Sequence, residues 1–282
     1  MRALFGLSGR IAPALTARAA AELMIRPRGR NPPQAWELEA SPLVPREILL
    51  PGKLHALQWG EAGPVVLAQH GWRGRPTQFA RFAEAIVPAG MRLVATDAPG
   101  HGRSPGPRAT PRLLADALVA AAAALGEVRG LIGHSLGGAA AALALESGLP
   151  AQRLVMIGSP SRPSRMIAGF AGQIGLPVAA RGALDMWFEA HAGRAVERLD
   201  PVALRLGPGV EVMVVHDRDD EVIPVAEAEL LEGAWPHARF LYTTGLGHRE
   251  LLADASVVEP VSAFLAGAVA RSGGGARPGG AR

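Results

Sequence analysis

From residue 45 onward, short unbroken apolar runs alternate with longer stretches whose apolar residues recur at helical spacing. "PVVLAQ" (64–69), "MRLVATD" (91–97), "VRGLIG" (128–133), "RLVMIG" (153–158), "VEVMVVH" (210–216) and "RFLYTT" (239–244) lack the in-out alternation of half-exposed strands, so they read as strands covered on both faces. Ahead of them, "REILL" and "KLHALQW" flank Pro51-Gly52 and predict a hairpin. Helices are predicted over about 75–88, 111–125, 136–147, 224–233 and 254–270. An antiparallel hairpin followed by alternating strands and helices specifies an α/β fold, a mostly parallel eight-stranded sheet with helices on both faces.

One stretch breaks the rhythm. The roughly 50 residues of 159–208 are too long for a single crossover, and they predict two or three short helices forming a cap over the carboxyl edge of the sheet. Met166, Ile167, Phe170, Ile174, Met186, Trp187 and Phe188 either line an apolar pocket beneath it or fasten the cap down. The organisation expected is thus a basic amphipathic segment (1–44), a catalytic-type domain (45–270) carrying the cap, and a low-complexity tail (271–282) expected to be disordered.

Composition narrows the function classes. The 282-residue chain is 49% hydrophobic, enough for a buried core. It has no cysteine, which excludes thiol nucleophiles, thiolate metal sites and disulfides and suits a reducing cytosol. The net charge of +4 is unevenly placed: residues 1–36 hold six arginines against Glu22, residues 271–282 hold three arginines and no acid, and the body between is net acidic. No nucleic-acid partner is therefore expected. The single lysine, Lys53, lies in Pro-Gly-Lys-Leu and does not end a phosphate-binding loop. No run of 18 uncharged apolar residues predicts a transmembrane helix, and arginines interrupt every candidate signal-peptide core in the first 25 residues. That segment reads as an amphipathic helix packed on the domain, with interfacial contact to a membrane or lipid as the alternative.

In open parallel sheets, ligands bind at the carboxyl ends of the strands. Chemically able residues gather there four times. "HGWRG" (70–74) follows one strand, and its glycines let an amide, best that of Trp72, turn inward as an oxyanion donor. "GHSLGG" follows the next but one, placing Ser135 on a tight turn at a helix N-terminus, where the Leu136 amide supplies a second donor. "HDRDDEVIP" offers Asp217, Asp219 and Asp220 as partners for a base. "GLGH" carries His248 on a supple loop. Of the other histidines, His55, His191 and His237 read as surface residues, and His70, His101, His134 and His216 as turn or packing residues.

These segments, together with "DAPGHGRS" (97–104) and in this order, resemble the alpha/beta-hydrolase superfamily, in its serine esterase and lipase-like branch. The resemblance spans about residues 45–270. It implies Ser135 as nucleophile and His248 as base, and aligning the family's acid-x-x-x-Pro ending on Pro224 selects Asp220 as the acid over Asp219. It also implies that Asp97 anchors backbone. Where relatives often carry glycine after the strand-end histidine, this chain has Asp217. The activity implied is hydrolysis of a small-molecule ester of hydrophobic character through an acyl-enzyme, with no metal or organic cofactor. Thioesterase, amidase, acyltransferase or cofactor-free peroxidase-like chemistry on the same residues, and a catalytically silent binding protein, are the alternatives.

Overall fold

A computed structural model of the chain describes residues 1–27, 32–34, 37 and 41–267. The tail 271–282 and parts of the segment before residue 41 lie outside the described residues. Among the described residues, eight strands form one sheet: β1 (Arg46–Leu50), β2 (Leu54–Trp59), β3 (Val65–Gln69), β4 (Arg92–Thr96), β5 (Val128–His134), β6 (Arg153–Ile157), β7 (Glu211–Asp217) and β8 (Arg239–Thr243). Their spatial order is β1-β2-β4-β3-β5-β6-β7-β8. The β1–β2 and β2–β4 pairings are antiparallel, and every later pairing is parallel.

Every residue of β3 is buried, and β5 to β7 are nearly so. The cause is a layer of helices on each face. One apolar cluster packs helices Pro111–Leu125, Leu136–Glu146 and Ala226–Ala234 on one side of the sheet. A second packs helices Ala80–Ile86 and Ala255–Ala266 on the other. The alternating pattern in the sequence therefore encodes a three-layer sandwich, as expected for strands without a solvent face.

The cap contributes helices Pro163–Gln173 and Val178–Ala192, followed by two single turns at Val196–Leu199 and Pro201–Ala203. Its stem is tied by side chains. Glu227 accepts bonds from the Ser161 and Arg162 amides, the Ser161 hydroxyl and the Arg162 guanidinium, while Asp200 accepts from the Ser164 amide and hydroxyl.

The basic N-terminal segment forms two helices, Arg2–Ile11 and Pro13–Ile25, broken at Ala12, whose φ of −137° and ψ of 71° leave the helical region. Pro13 dictates the break, because the residue before a proline is pushed away from α geometry. The second helix packs on the cap, where Ala17, Ala20, Ala21 and Ile25 join Ile167, Ile174 and Leu184 in a third apolar cluster. Glu22 of the same helix pairs with Arg108 and Arg26, tying the segment to the main domain.

Two boundaries differ from expectation. The helix predicted over 75–88 opens as a 3-10 turn at Pro76–Phe79, with the proline at the first position, where a missing amide costs nothing, and becomes α-helical only at Ala80. The last helix stops at Gly267, whose φ of +79° gives a left-handed cap.

Candidate active site

Ser135 joins β5 to the helix Leu136–Glu146 with φ of 53° and ψ of −128°, a conformation that costs a non-glycine residue about 1–3 kcal/mol. Its neighbours leave no alternative. A Cβ on Gly133 would stand 2.4 Å from the Gly138 backbone, and one on Gly137 would stand 2.1 Å from the Gln69 carbonyl. Strand and helix meet too closely for any side chain at either position, so the strain falls on the residue between them. The Ser135 amide is held to the Ile157 carbonyl at 2.9 Å, and its side chain lines the main cavity.

His248 comes from the loop after β8. Its Nδ1–H donates to Asp220 Oδ2 at 2.7 Å. The other carboxylate oxygen of Asp220 accepts the Val222 and Ile223 amides, each at 2.8 Å. Burial raises the Asp220 pKa, but the hydrogen bonds from His248 and these amides outweigh it and hold the group below the ordinary carboxylate range. Asp219 instead accepts the Gly245 amide at 2.9 Å. Asp217 accepts the Thr243 hydroxyl at 2.7 Å, the Leu246 amide at 3.0 Å and the Asp219 amide at 2.9 Å. Burial again opposes ionisation and the bonds overcome it, so Asp217 too lies below its usual pKa. Of the three aspartates, one faces the imidazole and two build the loops that carry it. Asp217, which the sequence marked as a departure at a glycine position able to tighten or charge the acid loop, clamps that loop to the 243–246 segment.

Ser135 and His248 line the same cavity, and among the described residues no hydrogen bond joins the hydroxyl to the ring. In ligand-free enzymes such contacts are often long and tighten when substrate binds.

The loop after β3 lies directly on the serine, since a Cβ at Gly71 would come within 2.6 Å of the Ser135 Cβ. Neither the Trp72 nor the Leu136 amide donates to a protein acceptor among the described residues. Leu136 opens a helix, whose dipole favours negative charge at that end. Two histidines support the loop. His70 Nδ1–H donates to the Gly71 carbonyl at 2.7 Å while its Nε2 accepts the Ala98 amide at 3.0 Å. His101 Nε2 accepts the Arg73 amide at 3.0 Å. Burial pushes His70 down to about 3, so it stands as a neutral post.

His134 reaches across to His248. Its Nε2–H donates to the His248 main-chain carbonyl at 2.8 Å, and the two rings lie 4.6 Å apart. Burial, reinforced by the neighbouring His248, pushes His134 to about 3. His216 likewise donates to the Ile223 carbonyl at 2.8 Å under the acid loop. His55 corrects a surface expectation: it is buried on β2 between β1 and β4, and its Nδ1 meets Asp97 Oδ2 at 3.2 Å. Asp97 also accepts the Arg103 amide, so it anchors the 97–104 turn. His191 is exposed, lines the cavity and stacks on Trp187 at 3.6 Å, and His237 is exposed.

The cavity above Ser135 measures about 1000 Å³. From the cap, Met166, Ile167, Phe170 and Phe188 line it, joined by Met24 and Ile25 of the N-terminal segment. Three other cap residues named from the sequence do not: Ile174 is buried in the cap's own core, Trp187 packs against that core, and Met186 points to solvent, 70% exposed. Trp72, 37% exposed, also lines the cavity.

A sequence model described as the alpha/beta hydrolase fold matches residues 64–174. No curated protein matches the chain. Among solved structures, an esterase from Pyrococcus furiosus is 18% identical with a TM-score of 0.59, covering 86% of this chain and 96% of its own. A monoacylglycerol lipase from Paleococcus ferrophilus is 20% identical with a TM-score of 0.57, covering 76% and 98%. A bacterial membrane phospholipase A is 17% identical with a TM-score of 0.59, covering 94% and 95%. Identities at this level speak for architecture alone, and by its architecture the chain belongs among proteins of the alpha/beta-hydrolase fold.

Proposed function

We propose that the chain is a serine hydrolase that cleaves a carboxylic ester of small to medium hydrophobic character through an acyl-enzyme. The observation that carries this reading is the conjunction at one cavity: a serine held at φ of 53° at the head of a helix, and an imidazole whose Nδ1–H is engaged by a buried carboxylate. A serine hydroxyl attacks carbonyls only when a base takes its proton, and the base needs its tautomer fixed and its cation stabilised. Asp220 supplies both to His248, leaving Nε2 free of the proton and able to accept one from Ser135.

In the proposed sequence, Ser135 attacks the ester carbonyl as His248 accepts its proton. The tetrahedral oxyanion is met by the amides of Trp72 and Leu136, and loss of one such donor typically costs about 3–4 kcal/mol of barrier. His248 then returns the proton to the departing alcohol and activates water to release the acid. The apolar wall supplied by Phe170, Phe188 and Met166 suits an aliphatic or aromatic acyl group.

The test is a panel of p-nitrophenyl esters of rising acyl length together with a fluorophosphonate probe. Wild type is expected to hydrolyse the esters and to take the probe on Ser135, whereas Ser135→Ala does neither. Equal turnover by both proteins, or probe attached elsewhere, would remove the assignment.

A further inference from the structure

The helix Arg2–Ile11 is two-sided in an unusual sense. Its inner face carries Phe5, Gly6 and Gly9, and the approach there is close: a Cβ on Gly9 would stand 2.7 Å from the Pro177 ring and 3.2 Å from the Ala180 side chain. The large aliphatic residues are on the opposite side. Leu4, Leu7 and Ile11 recur at intervals of three and four, which places them on one stripe. Leu15 of the next helix is also turned outward, and all four are between 63% and 76% exposed. Val178, next to the Pro177 that receives Gly9, is 86% exposed. A packed amphipathic helix would point these side chains at the domain. Here the domain takes the glycines and leaves the leucines in water.

Charge narrows what can cover this face. Arg10 and Arg18, beside the stripe, are exposed and make no ion pair among the described residues, whereas Arg2 falls on the inner side with its side chain against Gly175 of the cap. The one acid of the two helices, Glu22, is already engaged by Arg108 and Arg26. A second copy of the chain docking face to face would bring this cationic rim against itself. A surface that is apolar within and anionic at its rim matches both features, and a convex helix face suits a plane better than a cleft. No helix among the described residues is long and apolar enough to cross a membrane, so the contact is one of lying on the surface.

We infer that the face formed by Leu4, Leu7, Ile11 and Leu15, with Arg10 and Arg18, docks on anionic phospholipid bilayers. The docked segment leads straight to the cavity, because the far end of the second helix places Met24 and Ile25 in its wall. The inference rests on this face alone and stands whether or not the cavity hydrolyses esters.

The test is flotation of the full chain with phosphatidylcholine vesicles containing about 30 mol % phosphatidylserine. Wild type is expected to float with these, weakly with pure phosphatidylcholine, and less as salt rises. Leu4→Gln/Leu7→Gln/Ile11→Gln is expected to lower partitioning by more than about 100-fold, from the apolar area no longer buried. Each of Arg10→Gln and Arg18→Gln is expected to lower it about five-fold. The replaced side chains are exposed, so the thermal midpoint should hold. Partitioning that is the same for wild type and the triple variant overturns the inference, as does equal binding to neutral and anionic vesicles. Light scattering that shows a vesicle-free dimer abolished by the triple variant overturns it as well, by giving the face to a second copy.

Discussion

The residue that precedes Ser135 holds the backbone of the residue that would activate it: His134 Nε2–H donates to the His248 carbonyl at 2.8 Å. One side chain thereby fixes the spacing between the Ser135 turn and a loop more than a hundred residues away. Displacement of a reacting group by about 1 Å can cost about 100-fold in rate. His134→Ala is therefore expected to lower kcat on activated esters by about that factor with little change in KM. His134→Asn, which restores a donor, should recover part of the loss. A kcat unchanged in His134→Ala would reduce the residue to packing.

The buried histidines also set a response to acid. His70 and His134 have folded-state pKa values of about 3, well under the ordinary 6.5, so the unfolded chain binds protons first as pH falls. Their contribution is complete above about pH 6.5 and is lost progressively between 6.5 and 3. The limiting slope for two such groups is about 2.7 kcal/mol per pH unit. The lowered carboxylates Asp217 and Asp220 act in the same direction further down. Urea midpoints should accordingly fall steeply from pH 6.5 to 5, and a flat profile there would contradict the burial of these rings as neutral posts.

How much of this was legible beforehand follows a physical division. The interior strands were readable because burial on both faces writes itself as unbroken apolar runs, the hairpin from Pro51-Gly52 and the cap helices from the length of 159–208; the edge strand β8, read as covered on both faces, is only half-buried. The glycines around Ser135 were readable because backbone contact tolerates nothing larger. Roles set by contacts across long sequence separations were not. The hold of His134 on His248, the buried position of His55 beside Asp97, and the cavity wall supplied by Met24 and Ile25 depend on which loops meet, and local pattern carries no record of that. The outward leucine stripe was half legible: the amphipathic spacing was plain, and the direction of the face needed Gly6 and Gly9 to be seen against the cap.

Strain at the Ser135 turn should be measurable by itself. Ser135→Gly relieves a positive φ that costs about 1–3 kcal/mol, against a smaller entropic penalty in the unfolded chain. The variant is expected to be inactive yet more stable by about 1 kcal/mol in denaturant titration. Ser135→Ala keeps the strain and should be inactive without that gain. Equal stability of the two variants would argue against stored strain.

The three aspartates of the acid loop should separate by what they damage. Asp220→Asn leaves an amide where His248 needs a carboxylate and is expected to lower kcat by about 10⁴-fold with a modest effect on stability. Asp217→Ala strands the Thr243 hydroxyl and the amides of Leu246 and Asp219, and is expected to cost about 2–3 kcal/mol, read as a lower urea midpoint. Asp219→Ala removes one exposed bond and should change either measure little. A large kcat loss in Asp219→Ala with an active Asp220→Asn would reassign the acid.

The tied stem of the cap has a consequence for how this chain can change. Asp200 holds the finish of the insertion to its start at Ser164, and Glu227 of the main domain holds Ser161 and Arg162, so the residues between can lengthen, shorten or be relined while the sheet keeps its register. Under the proposed function, the reacting groups and much of the apolar cavity wall sit in separate stretches of polypeptide. A descendant could inherit the first unaltered while rewriting the second.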